Sequence, residues 1–246
     1  GGGHGLGRAI AEALVAEGAS VTIAGRDIPT LQATRDALNT RGATAWSVAC
    51  DVTDPTSVTQ AVGAARSQMG GVDILINNAG IAPTAPILRL KLEDWNQALA
   101  VNATGALLCI QACLPGMLEH KYGRIVNIAS VAGISSAPYL AAYSASKHAM
   151  IGLTRAAAAE LVDKGILVNA LCPAYIDTDM TRRGVERAIS KGMSESDALS
   201  AVLTSAGQKR LLTPEEVASW VVQLVGPASM GLHGQLIVLD GGGVAK

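Results

Sequence analysis

Short, continuously apolar runs alternate along this chain with longer stretches of helical periodicity. The runs are Ser20–Ala24, Thr44–Val48, Asp73–Asn77, Arg124–Ala129, Ile166–Leu171 and Gln235–Leu239. A strand that is apolar on both faces needs cover on both faces, and a parallel sheet between two layers of helix supplies it. Helices are predicted over Gly7–Glu17, Pro29–Thr40, Pro55–Met69, Glu93–Val101 continuing through Asn102–His120, Tyr143–Lys164, and Pro214–Val225. Several open on strong N-terminal signals, as at Asp54-Pro55 and Thr213-Pro214-Glu215-Glu216. Right-handed crossovers then make the sheet doubly wound. No repeat or linker divides the 246 residues, which suit one domain with a substantial core.

Charge excludes some partners. The net charge is −1 and no basic run exceeds Thr-Arg-Arg, so neither nucleic acid nor an anionic membrane is expected as a partner. No apolar stretch is read as reaching the ~18 residues of a membrane span, and no signal peptide is recognised. Cys50, Cys109, Cys113 and Cys172 have neither paired nor metal-type spacing, so no metal is expected and a reducing cytoplasm fits.

The chain opens Gly1-Gly2-Gly3-His4-Gly5-Leu6-Gly7 and runs straight into a predicted amphipathic helix. Glycines let a backbone approach a pyrophosphate, whose charge is met by the helix N-terminus. This is a dinucleotide-site signal of Rossmann type, with Gly1, His4, Gly5, Leu6 and Gly7 around the cofactor. The strand that precedes such a turn is not in the sequence: either the chain is trimmed or the central strand is absent, and since its absence would leave a hole in the core, trimming is expected. After the second strand position comes Gly25-Arg26-Asp27. Arg26 would pair with a 2′-phosphate, with His4 nearby, which favours NADP over NAD. The alternative leaves Arg26 solvated and gives the ribose to Asp27, which favours NAD.

Tyr143 and Lys147 stand four residues apart in Tyr-Ser-Ala-Ser-Lys, and Ser130 lies thirteen residues upstream of the tyrosine. On a helix, that spacing places both side chains on one face. A lysine ammonium beside a phenol favours the phenolate, so Lys147 is expected to pull Tyr143 toward neutral, where it can give or take a proton. Each residue has a plain alternative. Ser130 could bond a turn, Asn102 could cap a helix, Asn77 and Asn78 could be turn residues, and Asp51 could bend a strand exit.

With the glycine turn, Asn77-Asn78-Ala79-Gly80, Asn102, Ser130, Tyr143 and Lys147 in this order, the chain resembles the classical short-chain dehydrogenase/reductase family over essentially its whole length. Within it, the chain looks most like the bacterial 3-oxoacyl-(acyl carrier protein) reductase branch. The resemblance implies an NAD(P)-dependent oxidoreductase that interconverts a carbonyl and a secondary alcohol. It implies that Gly1, Gly5 and Gly7 bind phosphate and that Asp51 and Val52 contact adenine. Asn78, Ala79 and Gly80 would line the adenosine ribose, and Pro173, Ile176 and Thr178 the nicotinamide carboxamide. Asn102 would hold a relay water and Ser130 the substrate carbonyl. Tyr143 would be the general acid/base, and Lys147 would bind the nicotinamide ribose and tune the phenol. The family has glycine where this chain has Ala174, and the extra methyl narrows the nicotinamide pocket if that backbone needs a positive φ.

The substrate is less specified. Apolar residues such as Ile134, Leu140, Tyr175 and Met180 suit a ketone, with Gly184–Gln208 as a helical flap over the site. Lys121 and Lys164 are candidates for carrier-protein recognition, with plain solvated charge as the alternative. The small residues of the two long helices suit the symmetric interfaces of a homotetramer or homodimer. Competing readings are an NAD-dependent alcohol or hydroxyacyl dehydrogenase, a cofactor-sensing protein and an inactive structural subunit.

Overall fold

A computed structural model describes residues 1–40, 42–190 and 192–241. All of its strand pairings are parallel. Strand β1 (Val21–Gly25) pairs with β2 (Ala45–Ala49). Strands β3 (Ile74–Asn77), β4 (Gly123–Ile128), β5 (Ile166–Pro173) and β6 (Leu236–Leu239) follow one another in that order. The burial of β4 at every position is what a covered parallel strand requires. Alternate side chains go to opposite layers. Val126 and Ile128 join the layer of α1 (Gly5–Ala16) and α9 (Pro214–Val225), which includes Leu6, Ile10, Val217 and Val221. Ile125 joins Ile110, Met117 and Leu161 on the other side. The doubly wound α/β reading holds.

The helix ends have local causes. Asp27 caps α2 (Ile28–Asn39) by accepting from the Thr30 N–H, and Asp54 caps α3 (Pro55–Met69) from Thr56 and Ser57. Thr213 and Glu216 form a capping box at α9. Helix α4 (Leu92–Leu99) continues into α5 (Gly105–His120) through a π-helical turn at Ala100–Thr104. Together, Leu92–His120 is long and apolar enough to cross a membrane by length and composition, against the sequence expectation that no stretch is. Its Ala106, Ile110, Cys113 and Met117 are buried against the sheet and α6 (Ala141–Leu161), as a core helix requires. Helix α6 ends before the predicted Lys164 because Asp163 and Gly165 take φ of 63° and 78°. A Cβ on Gly165 would lie 2.0 Å from the Lys121 carbonyl oxygen, so only glycine lets β5 start there.

Strands β1 and β3 do not pair with each other. Between them runs a cavity of about 480 Å³, with Leu14, Ile23, Val58, Ile76, Val101 and Cys113 on its walls.

Candidate active site

The loops at the carboxyl ends of the strands gather at one edge of the sheet, where open α/β sheets hold their ligands. The glycine turn is fixed from below. Gly1 and Gly2 both donate to the Ala24 carbonyl, and Asn78 Nδ2 donates to the Gly1 carbonyl at 2.9 Å. Helix α1 begins without a side-chain cap and without an acidic residue in its first turn. Its first N–H groups are therefore open to an anion. Gly5 has φ of 52°, and a Cβ on Gly7 would lie 1.9 Å from the Gly1 carbonyl oxygen. Both glycines are required by the turn. Leu6 is buried in the core beneath it, and Thr178 comes within 3.7 Å of where a Gly5 Cβ would stand.

Gly1, His4, Arg26, Asp51, Val52 and Asn78–Gly80 line the same cavity that runs between β1 and β3. Asp51 Oδ1 accepts from the N–H and hydroxyl of Thr53, which hold its carboxyl below the usual carboxylate range. Gly105 makes room for Val52, since a Cβ there would lie 2.8 Å from the valine methyl. Asp27 has both oxygens engaged: Oδ1 accepts from the Thr30 N–H and Oδ2 from its hydroxyl at 2.6 Å. Those bonds depress its pKa and commit it to the helix cap. Arg26 is exposed and forms no ion pair among the described residues.

Ser130 begins the turn after β4, and its Oγ accepts from the Ala132 N–H at 3.1 Å. Tyr143 and Lys147 project from the first turns of α6. Burial raises the Tyr143 phenol, and a hydrogen bond with Ser130 draws it back down. Lys147 Nζ donates to the Ile128 carbonyl at 2.7 Å and stands 5.8 Å from the Tyr143 ring centroid. Its own pKa falls to about 8 because the ammonium is buried. The expected lowering of Tyr143 by Lys147 is thus not present. The ammonium is turned to a main-chain carbonyl, and desolvation governs the phenol. Cys172 is also buried nearby, and burial pushes its thiol up to about 11.

Asn102 sits in the π-helical turn, fully buried. Its Nδ2 donates to the Ile81 carbonyl and to Ser146 Oγ, and its Oδ1 accepts from the Ile81 N–H, at 2.8–2.9 Å. Both amide hydrogens are committed, so the side chain positions its neighbours. π-turns of this kind recur at functional sites. Ser146 passes the chain on to the Tyr143 carbonyl at 2.7 Å. The sequence reading did not single out Ser146, although its place three residues after the tyrosine was a signal. Nor did it find the buried ladder Asn77–Asn127–Thr154, whose 2.8 Å bonds tie β3 and β4 to α6.

Pro173 ends β5, and Ile176 pairs with Leu212 just beyond it. Ala174 is not among the non-glycine residues with positive φ, so its backbone accepts alanine without strain. Tyr175 is clamped at both main-chain groups by the buried Gln208 side chain. Helices α7 (Asp179–Ile189) and α8 (Glu195–Ser205) follow and occupy most of the predicted flap, whose residue 191 lies outside the described residues. Lys121 and Lys164 are at the wrong pole. They immediately precede β4 and β5, whereas Ser130 and Ala174 follow them. A six-residue strand intervenes, about 20 Å at ~3.3 Å per residue. Neither lysine can serve as a docking charge beside Tyr143.

The family model described as short chain dehydrogenase matches residues 1–189. D-beta-hydroxybutyrate dehydrogenase of Rhizobium meliloti (strain 1021) is 32% identical, over 98% of this chain and 95% of its own length. The 3-oxoacyl-(acyl-carrier-protein) reductase of Vibrio cholerae serotype O1 is 34% identical, over 98% of this chain and 94% of its own. Among solved structures, an actinorhodin polyketide ketoreductase with NADPH superposes with a TM-score of 0.94 at 33% identity, over all of this chain and 95% of that one.

Proposed function

This chain belongs to the short-chain dehydrogenase family and is an NAD(P)-dependent oxidoreductase of keto and hydroxyl groups, and on that premise we propose that it works with NADP through Tyr143 as general acid/base. One observation carries the reading. Ser130 follows β4 and Tyr143 opens α6, both at the carboxyl ends of the strands, the end at which helix α1 presents its uncapped, glycine-lined N-terminus. The residues fit a dinucleotide. The α1 N-terminus with Gly1, His4, Gly5, Leu6 and Gly7 would hold the pyrophosphate, and Asp51, Val52 and Asn78–Gly80 the adenosine half. Thr178, Ile176, Pro173 and Lys147 would hold the nicotinamide end.

When bound, the cofactor supplies or accepts hydride. The chain's own residues do the rest. Ser130 and Tyr143 donate hydrogen bonds to the carbonyl oxygen and stabilise charge as it develops there. Tyr143 delivers its proton to that oxygen in reduction and takes it back in oxidation. Asn102 and Ser146 fix the helix that carries the tyrosine. With Asp27 committed to its cap, Arg26 is left as the group that meets a 2′-phosphate, which favours NADP. NADPH in the superposed ketoreductase supports the same preference.

Helices α7 and α8 are assigned to the lid. A homotetramer accords with exposed Trp220 and Val238, which flank a groove on α9 and β6. A cytoplasmic location is assigned on the four free cysteines. The deciding experiment is Tyr143→Phe, assayed with NADPH against a ketone panel. Turnover should fall at least about 100-fold, the lower end of what a general acid supplies, while NADPH binding by fluorescence persists. Wild-type turnover in that variant would end the assignment.

A further inference from the structure

Two arginines of helix α7, Arg183 and Arg187, lie outside any ion pair among the described residues. Helix α7 has no buried residue, so it lies on the surface. It is tied down at its start by Arg182, which forms a two-point ion pair with Asp177 at 2.9 and 3.2 Å. Further along, Arg187 reaches across to donate to Thr84 Oγ1 at 2.9 Å, a residue 103 positions away in sequence.

Thr84 belongs to the loop after β3, and that loop is anchored to the catalytic set on both sides of it. Ile81 is held by Asn102, and the Ala85 N–H donates to the carbonyl of Tyr139, four residues before Tyr143. Arg187 therefore ties α7 to the loop that Asn102 and the Tyr139 carbonyl hold, next to the segment that leads into Tyr143. Its partner there is a neutral hydroxyl, which satisfies one of five guanidinium donors. Arg183, one turn earlier, shares its helix face. Neither arginine forms an ion pair among the described residues, although Arg182 beside them does. Asp179 and Glu186 share the helix, yet neither comes within ion-pair distance of Arg183 or Arg187. The planar, two-point geometry of a guanidinium suits a carboxylate.

We propose that Arg187, assisted by Arg183, binds the carboxylate of the substrate, so that the compounds turned over at Ser130 and Tyr143 are oxo acids and hydroxy acids. This rests on the hydride-transfer reading above and specifies it. Arg187 is a specificity-determining residue: it holds the remote end of the substrate, while the reacting oxygen is held by Ser130 and Tyr143.

The test compares short 2-oxo and 3-oxo acids with their methyl esters, using NADPH and NADH. The native protein should favour acid over ester in kcat/KM by about 30-fold, the value of a charge-assisted bond pair. Arg187→Ala should collapse that ratio toward one, Arg187→Lys should restore part of it, and Arg66→Ala on α3 should leave it in place. Added salt should raise KM for the acids and leave that for the esters. A native protein that reduces esters or thioesters as well as acids overturns the carboxylate proposal and leaves the oxidoreductase reading standing. So does an Arg187→Ala effect confined to cofactor affinity. No reduction of any acid, ester or ketone with either cofactor overturns both.

Discussion

Lys147 donates its ammonium to the main-chain carbonyl of Ile128 across the interface between α6 and the last residue of β4. The bond fixes the catalytic face of the helix to the sheet, and it does so with a buried charge. Burial sets the folded pKa at about 8, against 10.5 for an ordinary lysine. Below pH 8 both states hold the proton, and the folded protein bears the full cost of a desolvated cation. Between pH 8 and 10.5 the unfolded chain keeps a proton that the folded one has lost, so rising pH favours folding.

Lys147→Met removes that dependence. Leaving the Ile128 carbonyl without its partner costs a constant amount, so the informative quantity is the change with pH. The stability of the variant relative to wild type should fall by on the order of 3 kcal/mol between pH 7 and 11. The buried thiols titrate in both proteins and cancel. Urea midpoints at pH 7, 9 and 10.5 give the answer, and parallel curves would mean that the lysine is not desolvated as described.

Arg26 should decide between the two cofactors. Replacing it with alanine removes a cation that acts on Asp51, and Asp27 is too well held by Thr30 to turn and grip a ribose. The Kd for NADPH should rise about tenfold or more, while that for NADH stays within a factor of two. Equal losses for both would assign Arg26 to general electrostatics.

Two glycines in helices should respond oppositely to alanine. A Cβ on Gly7 meets the Gly1 carbonyl oxygen at 1.9 Å, so Gly7→Ala pushes the glycine turn off α1 and weakens dinucleotide binding at least tenfold. Gly63, exposed inside α3, has nothing within 4 Å of its hypothetical Cβ. Gly63→Ala should raise stability by about 0.5–1 kcal/mol without touching cofactor affinity. Binding isotherms and thermal melts on the pair separate conformational freedom from close approach.

Much of this was legible in the sequence, for reasons that differ by element. The strands announced themselves because burial on both faces demands unbroken apolar runs, as in Arg124–Ala129. Helix α3 was bounded correctly because Asp54-Pro55 and Gly70 are start and stop signals in their own right. The site was legible where chemistry needs a residue type at a spacing, as for Tyr143 and Lys147. It was not legible where function depends on direction. Spacing placed Lys147 beside Tyr143 but could not show that its ammonium turns to Ile128. Likewise, nothing local in Lys121 or Lys164 tells which end of a strand they occupy. Ala174 shows the converse: a departure from the family pattern carries no strain when φ stays negative.

Asn102 offers the sharpest test of whether the π-turn serves the site or only the fold. Its amide makes three bonds in a fully buried position, two to Ile81 and one to Ser146. Asn102→Ala leaves those partners unpaired and should cost about 2–4 kcal/mol, measurable by urea unfolding. That alone would be structural. Ser146→Ala is the discriminating variant, because it keeps both Ile81 bonds and removes only the two made by the Ser146 hydroxyl, from Asn102 and to the Tyr143 carbonyl. It should cost about 1 kcal/mol in stability. If the chain positions the tyrosine, kcat should fall about tenfold while the cofactor Kd holds, since a small misplacement acts on the transition state and not on remote binding. Ser146→Thr, which restores the hydroxyl, should recover kcat. A Ser146→Ala enzyme with native kcat would show that the network braces the helix without aiming its phenol.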